Sequence, residues 1–437
     1  MDFLIAMDPA VKCLLLLLVV AILFVTEKIP LAVTSIASAV CCWLRGLVPL
    51  KEVFLGLADS TVVLFGGMFV IGAAMFKTGL AEAIGIAVVK KAGTNEIPLM
   101  AAIMIVTIVL SSVSSNTGTV ACLMPVIIGI CQAAKIPASK ELMPLAIAAN
   151  VGGTITMIGT PPNVIVTGAL TTAGLPTFGF FEFAAIGIPL SLVITVYTLF
   201  IGRHMIAAKS AGAMDEEAIK AAKEEAGASG DDAPKSKTKM WISGLILIGV
   251  VVCMALDLKT VPLHTAAVTG AILCVVTGCL KEKEAYAGID WVTIFLFAGM
   301  LSVATAMEKT GAGKLIADTV VGMMGANPNP YVLTAVLFLI SNVLTQFMSN
   351  TASAALLAPI GISIAQNIGC DPKPVLMALG IAASCAFATP MATPPNTLVL
   401  GPGGFSFNDY AKVGVPMCVI SLIVCLVVIP IVWPFGM

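Results

Sequence analysis

Long apolar stretches separated by short polar segments dominate this chain. In the first half they cover residues 11–25, 29–48, 61–77, 98–133, 142–170 and 183–202. In the second half they cover residues 240–256, 261–280, 291–307, 330–368, 374–400 and 413–433. Apolar runs of about 20 residues are long enough to cross a lipid bilayer as helices. The pattern predicts an all-α polytopic membrane protein.

Between the halves, residues 203–239 are charged and rich in Ala, Gly and Ser. This composition cannot bury a core and is typical of a solvated linker. We therefore divide the chain into repeat 1 (residues 1–202), the linker (203–239) and repeat 2 (240–437). Because Lys and Arg concentrate on the linker side of the predicted spans, we expect a cytoplasmic linker and both termini outside.

Composition agrees with a membrane protein. Of the 437 residues, 59% are apolar and 11% are charged, which leaves too little polar surface to coat a soluble globule. We therefore place the chain in the cell membrane. The net charge of -1 and the lack of a basic stripe argue against nucleic acid as a partner. No HExxH pattern and no nucleophile with a neighbouring base occurs, so we do not predict an enzyme.

The two halves carry the same motifs in the same order. Ser-Asn-Thr occurs at residues 115–117 and 349–351, 234 positions apart. Thr-Pro-Pro-Asn occurs at residues 160–163 and 393–396, 233 positions apart. Each half has five predicted spans besides one paired stretch, and an odd number of spans inverts the second copy. Two inverted repeats with a site at their interface are typical of secondary transporters.

The paired stretches, residues 98–133 and 330–368, each consist of two apolar arms around a polar tip. In the first, the arms are residues 98–110 and 120–133, and their 13 and 14 residues are too few to cross as helices. We expect two re-entrant hairpins. Irregular backbone at membrane depth persists only where protein buries it or it lines a cavity, so each tip should face an internal site.

The predicted site contains no charged side chain. Residues 98–134, 142–181, 331–370 and 375–408 contain no Asp, Glu, Lys, Arg or His. Each Pro-Pro pair breaks its helix, so freed carbonyls can coordinate a hard cation while half-helix N-termini attract an anion. Proton coupling normally uses an embedded acid or histidine. Sodium with an anionic substrate fits best.

A single Ser-Asn-Thr is more often a helix cap or a packing contact than a ligand site. Two copies at one spacing, each followed by Thr-Pro-Pro-Asn, favour a ligand site instead. The glycine pairs at residues 66–67 and 152–153 are expected to permit close helix packing.

At these motifs, and at the Val-Thr-Glu-Lys-Ile-Pro-Leu run of residues 25–31, the chain resembles the divalent anion/sodium symporter family. That family includes bacterial dicarboxylate transporters and human citrate and sulfate carriers. The resemblance covers nearly the whole chain. It implies a homodimer in which a transport domain slides like an elevator past a fixed scaffold. We expect this protein to lack the extra first span that is usual in the family.

The resemblance also implies which residues form the site, with sodium bound at two or more positions. The first sodium set is Ser111, Asn116 and Gly159, and the second is Thr345, Met348, Asn350 and Ala392. Substrate carboxylates would meet Asn116, Thr117, Asn350 and Thr351. The floor of the site would be closed by Thr160, Pro161, Thr393 and Pro394.

The leading hypothesis is sodium-coupled uptake of a C4 dicarboxylate such as succinate, malate or fumarate. Citrate, 2-oxoglutarate and sulfate are competing substrates. Sodium-independent dicarboxylate exchange, and oxyanion transport or ion antiport on the same broad fold, are open alternatives. A channel is disfavoured because two polar tips in inverted repeats suit alternating access.

Overall fold

The computed structural model describes residues 7–93, 95–209, 236–256, 260–324 and 329–436, and the regular structure in these residues is helical. The first half contains α1 Pro9–Thr26, α2 Leu31–Leu44, α3 Ser60–Lys77, α4 Leu80–Ala92, α5 Glu96–Val113, α6 Asn116–Ala134, α7 Ser139–Gly152, α8 Pro161–Thr172 and α9 Ala184–Tyr197. The second half contains α10 Lys237–Ala255, α11 Leu263–Val276, α12 Glu282–Ala287, α13 Trp291–Thr310, α14 Ala312–Met324, α15 Pro330–Thr345, α16 Asn350–Asn367, α17 Pro372–Ser384, α18 Pro394–Leu400 and α19 Phe407–Val432. Most of the predicted linker lies outside the described residues.

Eight helical segments of the described chain are long and apolar enough to cross a membrane. They are Pro9–Thr26, Leu50–Lys77, Glu96–Val113, Asn116–Ala134, Ala184–Met205, Lys237–Ala255, Trp291–Thr310 and Phe407–Val432. Three shorter apolar helices, α2, α11 and α15, pack among them. The prediction of an all-helical membrane protein with many spans is confirmed.

The paired stretches form helical pairs with longer arms than predicted. α5 has 18 residues and α6 has 19, against 13 and 14 expected. The helices continue through polar residues, whose hydroxyls find acceptors in carbonyls one turn earlier. Ser112 Oγ donates to Val109 O at 2.8 Å, and Thr119 Oγ1 donates to Ser115 O at 2.9 Å. The predicted short arms were wrong because they ended where the hydroxyl-rich tip begins.

Each Pro-Pro pair begins a helix after an unwound segment. α7 ends at Gly152, and residues 153–160 run in turns until Pro161 opens α8. In the second half α17 ends at Ser384 and Pro394 opens α18. Proline is tolerated in the first helical turn because the N–H that it lacks has no partner there.

Helices of the two halves pack in crossed pairs. α2 packs on α13, and α11 packs on α3. Gly67 of α3 lies so close to Ala267 that an added Cβ would sit 2.7 Å from the carbonyl carbon, and Gly299 of α13 lies equally tightly against Ser35. Gly67 and Gly299 are 232 positions apart, and so are Ser35 and Ala267. The same close contact therefore occurs once in each crossed pair. Gly66 has no atom within 4 Å of an added Cβ, so the packing prediction was wrong for that residue.

The hairpins and the broken spans form a second group of helices. α5 packs on α7 and α15 packs on α17, while α9 and α19 pack on each other and on these pairs. Gly187 of α9 lies against the Thr154 carbonyl, and Gly414 of α19 lies against the Phe387 carbonyl. In each half, a glycine of the last helix therefore packs on a carbonyl near the helix break.

One contact between the two groups distinguishes the halves. The ring of Phe297 in α13 lies against Gly168 of α8 and leaves no room for a methyl group there. The matching residues are Phe65 of α3, which lines a cavity, and Gly401, which is exposed. The two groups therefore contact each other asymmetrically.

Candidate functional site

A cavity of about 520 Å³ lies where the hairpin tips, the helix breaks and the facing sides of α3 and α13 meet. All eight residues predicted to contact substrate line this cavity: Asn116, Thr117, Thr160, Pro161, Asn350, Thr351, Thr393 and Pro394. Among the predicted sodium residues, Gly159, Met348 and Ala392 also line it. Ser111 and Thr345 lie behind the wall with no exposed surface. Tips and breaks of both halves thus meet at one place.

Neutral oxygens converge behind the first tip. Ser111 Oγ donates to Ala149 O at 2.7 Å and contacts the Asn116 carboxamide. With its nitrogen turned inward, Asn116 donates to Gly159 O at 3.1 Å and to Ala149 O at 3.2 Å. With its oxygen turned inward, four oxygens would face one another, and a cation between them would remove the repulsion. This cluster can therefore coordinate a hard cation.

The second half repeats this arrangement. Thr345 Oγ1 lies 2.6 Å from Asn350 Oδ1 and 2.8 Å from Ala383 O. Hydroxyl, carboxamide and carbonyl match those of Ser111, Asn116 and Ala149 at the same spacing of 234 positions. Sequence reasoning missed the two alanines because their side chains carry no chemistry. Their equal spacing from the Ser-Asn-Thr tripeptides is the signal that could have found them.

The last residue of each Thr-Pro-Pro-Asn holds the unwound segment in place. Asn163 Nδ2 donates to Gly153 O at 3.2 Å and to Thr156 O at 2.8 Å. Asn396 Nδ2 donates to the two matching carbonyls of the second half, each at 2.9 Å. Two fixed donors on each asparagine give both segments the same shape.

The second glycine pair has two different surroundings. Gly152 packs closely on Ile108 of α5, as predicted. An added Cβ on Gly153 would lie 2.9 Å from the Asn116 side chain and from Gly159 O. Gly153 therefore borders the first oxygen cluster, and the prediction of close helix packing was wrong for it.

The four helices that follow the tips and breaks, α6, α8, α16 and α18, begin at the cavity. Helix N-termini carry positive partial charge and unpaired N–H groups, which attract anions. Prolines at the first two positions of α8 and α18 remove two N–H groups from each end. The hydroxyls of Thr160 and Thr393 remain as donors at these ends.

Two carboxylates on the cavity wall were missed by sequence reasoning, which had examined only the hairpins and breaks. Glu27 follows α1 with a left-handed backbone (φ 46°), and Asp290 is the N-cap of α13, where it accepts from Thr293 N at 3.0 Å. Among the described residues, the cavity lining includes no Lys, Arg or His. A dianion here would meet negative side chains and no positive one.

One further carboxyl is buried away from the cavity. Glu141, in the first turn of α7, has no exposed surface, and neither of its oxygens has a hydrogen-bond partner in the described part of the chain. The matching position of the second half is Val375, which is equally buried. Glu141 lies at the opposite end of α7 from Ala149 and is not part of the site.

Comparison with known proteins decides the family. A family model described as "Citrate transporter" (CitMHS) matches residues 21–373 and 354–435. The chain belongs to this citrate transporter family. An uncharacterised transporter of Haemophilus influenzae is 30% identical over 432 residues, which cover 94% of this chain and 89% of that protein. The sodium-dependent dicarboxylate transporter SdcS of Staphylococcus saprophyticus is 26% identical over 455 residues, covering 97% of this chain and 86% of that protein.

A solved structure shares the fold of this family member. The YdaH transporter of Alcanivorax borkumensis has a TM-score of 0.64 and 16% identity, covering 99% of this chain and 100% of that chain. The family membership confirms the predicted resemblance and the prediction that the chain is not an enzyme. The protein is a secondary transporter that spans the membrane several times.

Proposed function

We propose that this protein takes up a di- or tricarboxylate together with sodium, with a C4 dicarboxylate such as succinate, malate or fumarate as the leading substrate. The cavity carries the proposal, because four helix N-termini and several hydroxyls face it without a cationic side chain in the described lining. A dianion binds there only if something neutralises its charge. Sodium can do so from the adjoining oxygen clusters. The name of the staphylococcal relative agrees with sodium coupling.

Each half supplies one sodium site in this proposal. The first uses Ser111, Asn116 and Gly159, together with the carbonyl of Ala149. The second uses Thr345, Asn350, Met348 and Ala392, together with the carbonyl of Ala383. Substrate carboxylates meet the residues of the tips and breaks that line the cavity. Both ions would lie beside the substrate, so substrate and sodium bind cooperatively.

The matched motifs and crossed packing support two inverted repeats, with each hairpin entering from its own side of the membrane. On this arrangement the linker is cytoplasmic, both termini are outside, and two copies form a homodimer. Both tips reach the same cavity, which supports re-entrant hairpins even though the arms are longer than predicted.

Transport would follow an elevator mechanism in which the second group of helices slides past the first. In the present arrangement Phe297 packs on Gly168, while Phe65 lines the cavity and Gly401 is exposed. Because the matching phenylalanines and the matching glycines lie 232 and 233 positions apart, exchanging their contacts yields the opposite state. Phe65 would then pack on Gly401, and Phe297 would leave Gly168.

Uptake into proteoliposomes tests the function. Labelled succinate should accumulate when sodium is high outside, and unlabelled malate or fumarate should compete better than sulfate. The substrate assignment fails if no di- or tricarboxylate competes. Accumulation that requires internal dicarboxylate and ignores sodium would identify an exchanger.

A further inference from the structure

Asn150 lies in the cavity wall but was not among the residues predicted to bind substrate. It belongs to α7 of the first half, has 1% exposure, and reaches across to the second half. Its Nδ2 lies 3.2 Å from Thr393 Oγ1 and 3.0 Å from Asn396 Oδ1. Asn150 thus links the two halves beside a threonine that opens onto the cavity.

The direction of these hydrogen bonds follows from the backbone. Asn396 Nδ2 donates to Ala386 O and Thr389 O, each at 2.9 Å, and carbonyls can only accept. The Oδ1 of Asn396 must therefore face Asn150, which must present its NH₂ group. That group then donates to both Asn396 Oδ1 and Thr393 Oγ1.

Since the Thr393 hydroxyl accepts from Asn150, its own proton must point elsewhere. No described residue accepts that proton, and Thr393 lines the cavity. Pro394 and Pro395 have removed two backbone N–H groups from this helix end. The hydroxyl proton is therefore a donor that an anion in the cavity can use.

The first half lacks this arrangement. The residue that matches Asn150 is Ser384, whose hydroxyl donates to Gly380 O at 2.9 Å. Asn163, which matches Asn396, has an Oδ1 without a partner within the described chain. Nothing comparable therefore orients the hydroxyl of Thr160.

We propose that Asn150 is a positioning residue, which orients the Thr393 hydroxyl so that its proton meets an anionic oxygen of the substrate. This proposal rests on the proposed function and adds that the two ends of the site are not equivalent. One end offers a donor that is oriented before binding, which lowers the ordering cost of binding. The other end offers a hydroxyl that must be oriented by the substrate.

A double-mutant cycle tests the proposal. Asn150→Ala and Thr393→Val should each raise KM for the substrate that the wild type transports by about 10-fold, as expected for a lost hydrogen bond to a charged group. The double variant should be no worse than Thr393→Val, because Asn150 acts through the hydroxyl. Thr393→Ser, which keeps the hydroxyl, should raise KM less than Thr393→Val does. As a matched control, the effects of Thr160→Val and Asn150→Ala should add.

Independent effects of Asn150→Ala and Thr393→Val would overturn the proposal, as would an unchanged KM in Asn150→Ala. Should Asn150→Ala fail to fold, the isosteric Asn150→Asp decides. Its ionised carboxylate cannot donate, so KM should rise more steeply with pH in that variant than in the wild type; parallel profiles would overturn the proposal. Wild-type uptake is measured first. If the wild type takes up no di- or tricarboxylate, the proposed function is wrong. If it does, but the effects of the two substitutions add, only the role of Asn150 is wrong.

Discussion

The two halves of this chain share motifs, spacing and local hydrogen bonds, yet they stand in different surroundings. In the second half Phe297 of α13 packs on Gly168, whereas in the first half the matching Phe65 lines a cavity. The hydroxyl and carboxamide behind each tip keep nearly the same contacts in both halves. Matching residues of the two halves therefore make different contacts with the other group of helices, while the hydrogen bonds behind the two tips stay nearly the same.

The largest effect on transport is expected when the carboxamide of either tip is removed. Asn116→Ala and Asn350→Ala should each lower uptake by about 100-fold or more, because each removes an oxygen ligand from the cluster of its own half and a contact from the substrate. Initial uptake rates measure this effect. The exposed Asn95, whose side chain does not cap α5, provides the control Asn95→Ala, which should transport normally. Near-normal uptake by either tip variant would contradict the site.

Alanine substitution of Gly168 and of Gly401 tests whether the two halves exchange their phenylalanine–glycine contacts during transport. Gly168→Ala should disfavour the present state by about 1–3 kcal/mol, because the methyl overlaps the Phe297 ring. Gly401→Ala should instead disfavour the opposite state, in which Phe65 would pack on that residue.

The readout is the labelling rate of Phe347→Cys, which is exposed in the cavity, in a background without other cysteines. An impermeant maleimide is applied from each side of the membrane. The two glycine variants should shift labelling in opposite directions. A shift in the same direction would contradict the exchange.

Glu141 in the first half and Val375 in the second differ in polarity at matching positions. The buried oxygens of Glu141 lack partners, whereas the matching Val375 is apolar. Glu141→Met should therefore stabilise the protein by about 1–3 kcal/mol, by removing a buried unsatisfied group. Thermal unfolding in detergent measures the gain, and uptake should be unchanged. Loss of uptake in a well-folded variant would show that the carboxyl serves transport.

The smallest effect concerns the ion pair Glu182–Lys373, in which Oε1 and Nζ lie 2.6 Å apart. Burial opposes ionisation of Glu182, but hydrogen bonds from Lys373, Gly179 and Trp433 outweigh it and lower the pKa of the carboxyl. Its stabilisation is therefore present above the ordinary pKa of 4.5 and is lost as pH falls through the lowered value.

Glu182→Gln should cost about 1 kcal/mol or less at neutral pH, and the difference from the wild type should vanish in acid. Melting temperatures recorded over a pH series measure this. Asp409 of the second half forms a comparable pair with Lys209 of the linker at 2.8 Å, so Asp409→Asn should give a loss of similar size. A loss that persists at low pH would contradict the assignment.

The order of helices could be predicted from the apolar stretches, which recur in the same order in both halves. The positions of both breaks could be predicted because each Pro-Pro pair interrupts its own helix. The tip and break residues that line the cavity were also predicted, from the repeated motifs and the family resemblance, whereas Glu27 and Asp290 were missed. Helix ends were harder to predict. The arms include polar residues such as Ser112 and Thr119, whose hydroxyls find acceptors within the helix. The contributions of Ala149 and Asn150 depend on backbone carbonyls and on contacts between the halves, which no local pattern records.

Sodium dependence of uptake tests the central claim, that each half binds one sodium ion beside a shared anionic substrate. The initial rate is measured in proteoliposomes as external sodium is raised at constant ionic strength with choline. Two cooperating ions predict a sigmoidal rise with a Hill coefficient of about 2. The same uptake rate with choline in place of all sodium would contradict the account.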